Sequence, residues 1–99
     1  MVFVTTQPES LAAAARRLQQ IGSTLAAQHT ATTAPITGVV PAAADEVSFV
    51  TAAKFAAHAQ TFQAMSAQAA AMHQMFVATL ETSAGSYAAT EVANAAAAR

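Results

Sequence analysis

Large apolar residues recur along this chain at a spacing of seven. Leu11, Leu18 and Leu25 form one such column, and Phe55, Phe62, Ala69 and Phe76 form another. Ile21 falls between members of the first, and Met65 and Met72 between members of the second. A seven-residue repeat with an intermediate position lines apolar side chains along one seam of a helix. The pattern predicts two helices joined by a connector that holds Gly38 and Pro41. The fold class is therefore all-α, a two-helix antiparallel hairpin. A hairpin is a single layer of structure, and its apolar seam needs a facing surface. The sequence thus implies an interaction protein whose fold another chain completes. Its candidate interface is Leu11, Leu18, Ile21, Leu25, Phe55, Phe62, Met65, Met72 and Phe76.

Local signals set the expected boundaries. Residues 1–5 read as an extended lead-in, and Thr6-Gln7-Pro8-Glu9 has the form of a capping box in which the Thr6 hydroxyl and Glu9 cap each other's amides. Pro8 is tolerated in a first turn, where its missing N–H would be unpaired anyway. The first helix is expected over about 8–34, with Pro35 discouraging continuation. Gly22 inside it is either a tolerated weak spot or a place of close approach by a facing helix. Residues 35–44 form the connector, and Asp45 and Glu46 suit the positive end of a second helix over about 45–84. Gly85 is its expected stop. At 1.5 Å per residue the helices span about 39 and 57 Å, so the first should run out opposite the mid-seventies. Residues 1–85 then constitute the hairpin. Residues 86–99 form an alanine-rich tail that projects beyond it and frays when nothing binds it.

Composition sharpens this picture. Ninety-nine residues make one small domain, and the hydrophobic fraction of 55% is mostly alanine, which favours helix but buries little area. Net charge is −1, with Arg16, Arg17, Lys54 and Arg99 the only Lys or Arg residues. Phosphate backbones require clustered cations, so nucleic-acid binding has no support, nor does charge-driven docking on anionic lipid. There is no cysteine, which excludes disulfides, thiolate metal sites and thiol catalysis. The N-terminus has neither a basic region nor a continuous apolar run, so no signal peptide is expected. The alanine runs are interrupted by Gln, His, Ser and Thr before they reach the roughly 18 apolar residues of a membrane span.

Candidate chemistry is sparse. His29, His58 and His73 are not at helical ligand spacing, and no neighbouring carboxylate completes a metal set. No nucleophile is placed in a triad, and there is no glycine-rich phosphate loop. The expectation is no enzyme activity, no cofactor, no metal and no small-molecule substrate. Tyr87 and Glu91, four residues apart, share a face if the tail is helical. They read either as a surface pair supporting a weak helix or as a recognition signal for a receptor.

Taken together, these residues resemble the mycobacterial PE family. The resemblance rests on Phe3-Val4, on Pro8-Glu9 and on the alanine-rich first helix. It continues through Val40-Pro41-Ala42-Ala43-Ala44-Asp45-Glu46-Val47-Ser48, Met72-His73 with Phe76, and Tyr87-x-x-x-Glu91. It covers essentially the whole chain, which looks like a short member comprising the PE domain alone. The resemblance implies pairing with a PPE-family protein into a four-helix bundle. It also implies export by the type VII (ESX) secretion machinery through the signal matched by Tyr87 and Glu91, hence a secreted or cell-surface location at the mycobacterial envelope or in host interaction. An EspG-type chaperone would grip the PPE subunit and touch this chain only indirectly. Two other readings stay open: a self-associating hairpin of the WXG type, disfavoured by the lack of Trp at the bend, and a membrane-permeability component.

Overall fold

The computed structural model describes residues 5–98, which form two helices, α1 (Pro8–Thr37) and α2 (Glu46–Ala97). Among the described residues there is no strand, and the class is all-α as the repeats predict. Residues 1–4 of the expected lead-in lie outside the described residues. The chain divides into two compact parts, Ser23–Met72 and a second made of Met1–Gly22 with His73–Arg99.

Within Ser23–Met72, the end of α1 and the start of α2 form an antiparallel helical hairpin around the non-helical connector 38–45. Asp45 is the N-cap of α2. Its carbonyl accepts from the Phe49 amide at 3.1 Å, its Oδ1 from the Ser48 amide at 2.8 Å, and its Oδ2 from the Ser48 hydroxyl at 3.1 Å. Two amides at the helix start thereby gain partners, and Glu46 follows in the first turn, where its charge complements the dipole. The edge of the His29 ring meets Phe62, with centroids 5.7 Å apart and planes at 83°. Eight residues separate His29 from Thr37, whereas sixteen separate Glu46 from Phe62. The connector therefore carries the chain about two turns past the end of α1 before α2 begins.

Helix α1 does not stop before Pro35 but continues to Thr37. Proline removes one amide, the one that would have bonded the Ala31 carbonyl, and Ala31 is exposed to water. Threonine hydroxyls serve neighbouring carbonyls instead: Thr33 donates to His29 at 2.9 Å and Thr37 to Thr33 at 2.6 Å. The helix closes with the Gly38 amide on the Ala34 carbonyl at 3.0 Å.

The second part pairs the start of α1 with the end of α2, again antiparallel: Leu18 lies against His73, and Thr6 against Glu91. The capping box read at Thr6 is not formed. Gln7 takes the cap position, its carbonyl accepting from the amides of Ser10 at 3.0 Å and Leu11 at 3.3 Å, while the Thr6 hydroxyl donates to Glu91. Nor does α2 stop at Gly85. No glycine among the described residues has a positive φ, so the left-handed turn that ends many helices is absent. Residues 86–97 extend an existing helix and need no nucleus of their own, which removes the reason for expecting them to fray. The expectation that α1 runs out opposite the mid-seventies also fails, because it took the two helix ends as level at the connector.

The buried hydrophobic residues are small: Ala52 and Ala59 in one part, Ala15, Val77 and Ala84 in the other. Ala52 to Ala59 and Val77 to Ala84 are again spacings of seven. Side chains this small set a close interaxial distance. At Gly22 the approach is tight: an added Cβ would sit 2.9 Å from both Cδ2 and Nε2 of His73. His73 Nε2 lies 2.6 Å from the Leu18 carbonyl, which only accepts, so Nε2 carries the proton and donates.

These two glycines should respond oppositely to alanine. At Gly85 a Cβ meets nothing within 4 Å, so Gly85→Ala gains the helix propensity difference of about 1 kcal/mol. Gly22→Ala gains the same propensity but drives the His73 ring off Leu18, an overpacking cost of about 1–3 kcal/mol, for a net loss on the order of 1 kcal/mol. Thermal melting of the chain assembled with the second chain that completes its fold, followed by circular dichroism, checks both. Stabilisation at both positions would remove His73 from its place over Gly22.

Candidate interaction sites

The hairpin seams are filled mainly by alanine, with Val77, and most of the large apolar residues lie to the side of them. Phe62 is three residues beyond Ala59, which places it about 60° round α2 from the buried alanines; Met65, six beyond, is about 120° away. In Ser23–Met72, Leu25, Phe55, Phe62, Met65 and Met72 are all exposed, with Phe55 at 59% and Phe62 at 46%. Phe62 has part of its ring against His29, which accounts for the lower figure. In the second part, Phe76 is exposed at 55% and Ile21 also faces solvent, whereas Leu11 and Leu18 are half-buried within their own hairpin. The candidate interface residues thus divide by environment: Leu11 and Leu18 are partly used by the chain itself, and the remainder are open to water.

Leaving phenylalanine in water is costly. Burying such a side chain contributes about 1.5–3 kcal/mol relative to exposure, and α2 carries Phe49, Phe55, Phe62 and Phe76 exposed alongside Met65, Met72 and Met75. Repeated exposure at helical spacing on one helix differs from the scattered apolar residues normal on any surface.

Tyr87 and Glu91 lie on the continuous part of α2, one turn apart and about 40° apart round the axis. The Tyr87 ring is exposed. The Glu91 carboxylate accepts a 2.7 Å hydrogen bond through Oε1 from Thr6, 85 positions away in sequence. An aromatic ring and an oriented carboxylate therefore stand on one face of an ordered helix, not on a loose tail. Pro8 opens α1 and is half-buried, while Glu9 occupies the exposed first turn.

The histidines are occupied as packing groups where they are covered: His29 against Phe62, His73 against Leu18. His58 is exposed. Among the described residues no group of three or more His, Cys, Asp or Glu is placed to hold a metal ion, and no helix is long and apolar enough to cross a membrane. Arg16, Arg17 and Lys54 are exposed.

Sequence reasoning passed over Thr6 as a partner of Glu91, His73 as the group over Gly22, and the small-residue seam. Ala15 and Gly22, like Ala52 and Ala59, repeat at seven, but so do the exposed Ala57, Ala64, Ala71 and Ala78, so the spacing did not mark the seam. The Thr6–Glu91 bond had no signal, because it joins the two ends of the chain.

Comparison with known proteins agrees with the family resemblance. The model of the PE family matches residues 4–94. The chain is 66% identical over 98 residues to the PE family protein PE13 of Mycobacterium tuberculosis H37Rv, covering 99% of both chains. It is 55% identical over 96 residues to the PE-PGRS family protein PE_PGRS33 of Mycobacterium tuberculosis CDC 1551, covering 97% of this chain and 20% of that one. With the PE family protein PE8 of strain H37Rv it shares 52% identity over 98 residues, 99% of this chain and 36% of the relative. The chain therefore spans nearly all of one relative and about a fifth to a third of the other two.

Proposed function

The chain belongs to the PE family, and from that premise we propose that it is a non-enzymatic mycobacterial PE protein that forms an obligate heterodimer with a PPE-family protein. The observation that carries this reading is the placement of the large apolar residues. The chain closes its own seams with alanine and leaves the phenylalanines and methionines of α2 in water. A partner helix pair laid against them would complete a four-helix bundle. Permanent interfaces of this kind commonly bury more than about 2,000 Å² and resemble a core cut in half.

The heterodimer is exported by type VII (ESX) secretion, with Tyr87 and Glu91 as the signal. A helical, exposed position on α2 supports this reading, because a receptor has access to both side chains on a folded protein. An EspG-type chaperone holds the PPE subunit before export and has no site on this chain. The exported complex works at the mycobacterial cell surface or in host interaction.

Expression of the chain alone and with PPE proteins of the same genome tests the pairing. Alone, the chain should aggregate or melt without cooperativity. With its partner it should elute as a 1:1 complex that unfolds in one transition. A solitary, cooperatively folded monomer overturns the proposal, and a stable soluble homodimer replaces it with self-association.

A further inference from the structure

We propose that Thr6 is a positioning residue of the Tyr87–Glu91 recognition element, so that the element is read as a folded feature built from both ends of the chain and not as a linear tail. The inference rests on the export reading above and deepens it. The Thr6 hydroxyl donates to Glu91 Oε1 at 2.7 Å across 85 positions of sequence. Thr6 is half-buried, whereas Glu91 is exposed. The bond therefore ties the Glu91 carboxylate on α2 to the residue two positions before α1.

The restraint does not block a receptor. A carboxylate has two oxygens with about four lone-pair sites, and Thr6 occupies one of them, so Oε2 stays open to an incoming donor. A glutamate held in one rotamer loses less side-chain freedom when it is bound, which is the advantage of pre-organisation. With α2 fixing the backbone between them, the ring of Tyr87 and the carboxylate of Glu91 are presented at a set separation on one face.

Among the described residues, Thr6 takes no part in capping α1. The start of α1 is capped by the Gln7 carbonyl, which accepts from the amides of Ser10 and Leu11, and the Ser10 hydroxyl donates to Gln7 Oε1 at 3.1 Å. Removing the Thr6 hydroxyl therefore leaves the helix start intact.

The test is made in mycobacterial cells that co-express the PPE partner, reading the fraction of the chain in the medium and its co-purification with the partner from the cell pellet. Thr6→Val keeps the shape and loses the donor. Export should fall by roughly three- to ten-fold, the range of one ordinary hydrogen bond, with pairing unchanged. Thr6→Ser restores the donor and should restore export. Wild-type export of Thr6→Val beside blocked export of Tyr87→Ala overturns the role of Thr6 and leaves the signal standing. Loss of pairing in Thr6→Val, or failure of Thr6→Ser to rescue, also overturns it. Wild-type export of Tyr87→Ala removes the signal itself, and the inference with it.

Discussion

Replacing Phe55 by alanine should weaken the complex of this chain with the PPE partner by about 3–5 kcal/mol, for a ring that the partner buries completely. That is a loss of roughly two to three and a half orders of magnitude in affinity. Phe55 is the cleaner of the two central probes because its ring is 59% exposed in this chain. Phe62 already meets the edge of His29. Phe62→Ala should therefore cost the hairpin part of its own packing, an aromatic contact of about 0.5–1.5 kcal/mol, in addition to the loss at the interface. Dissociation constants of the heterodimers carrying each substitution, compared with each other, separate the two effects. A normal-affinity complex after both substitutions would contradict the assigned face.

The rows of leucine and phenylalanine made the two helices and their antiparallel return legible, because large side chains at a spacing of seven stand out against alanine. The boundaries were less legible. Pro35 and Gly85 are local breakers with typical costs of about 3 and 1 kcal/mol, and sequence rules treat them as stops. Here the Ala31 carbonyl can turn to water, and threonine hydroxyls bond the carbonyls nearby, so α1 passes Pro35. A glycine deep inside a long helix does not end it, so α2 passes Gly85. The true hairpin seam was the hardest feature to see. Ala15, Ala52, Ala59 and Ala84 do not differ in kind from the many alanines that face solvent. Burial of an alanine depends on which neighbour approaches it, and that information lies on the other helix. Thr6 shows the same limit: its spacing from Glu9 fits a capping box, yet its hydroxyl is taken by a residue at the far end of the chain.

Tyr87→Ala should separate export from assembly. Alanine is the strongest helix former, so the substitution keeps α2 intact while removing an exposed ring one turn from Glu91. Buried aromatic anchors of a recognition site typically carry 2 kcal/mol or more, so export should fall by at least about thirty-fold. Pairing with the PPE protein should not change, since Tyr87 lies eleven residues, about 16 Å along α2, beyond Phe76, the last residue of the assigned interface. The ratio of secreted to cell-associated chain, measured beside co-purification with the partner, gives both numbers from one culture. Unchanged export would reduce Tyr87 and Glu91 to a surface pair. The contrast with Phe55→Ala is what makes the assignment sharp: if only the assembled pair is exported, loss of the Phe55 ring diminishes both readouts, whereas loss of the Tyr87 ring diminishes export alone.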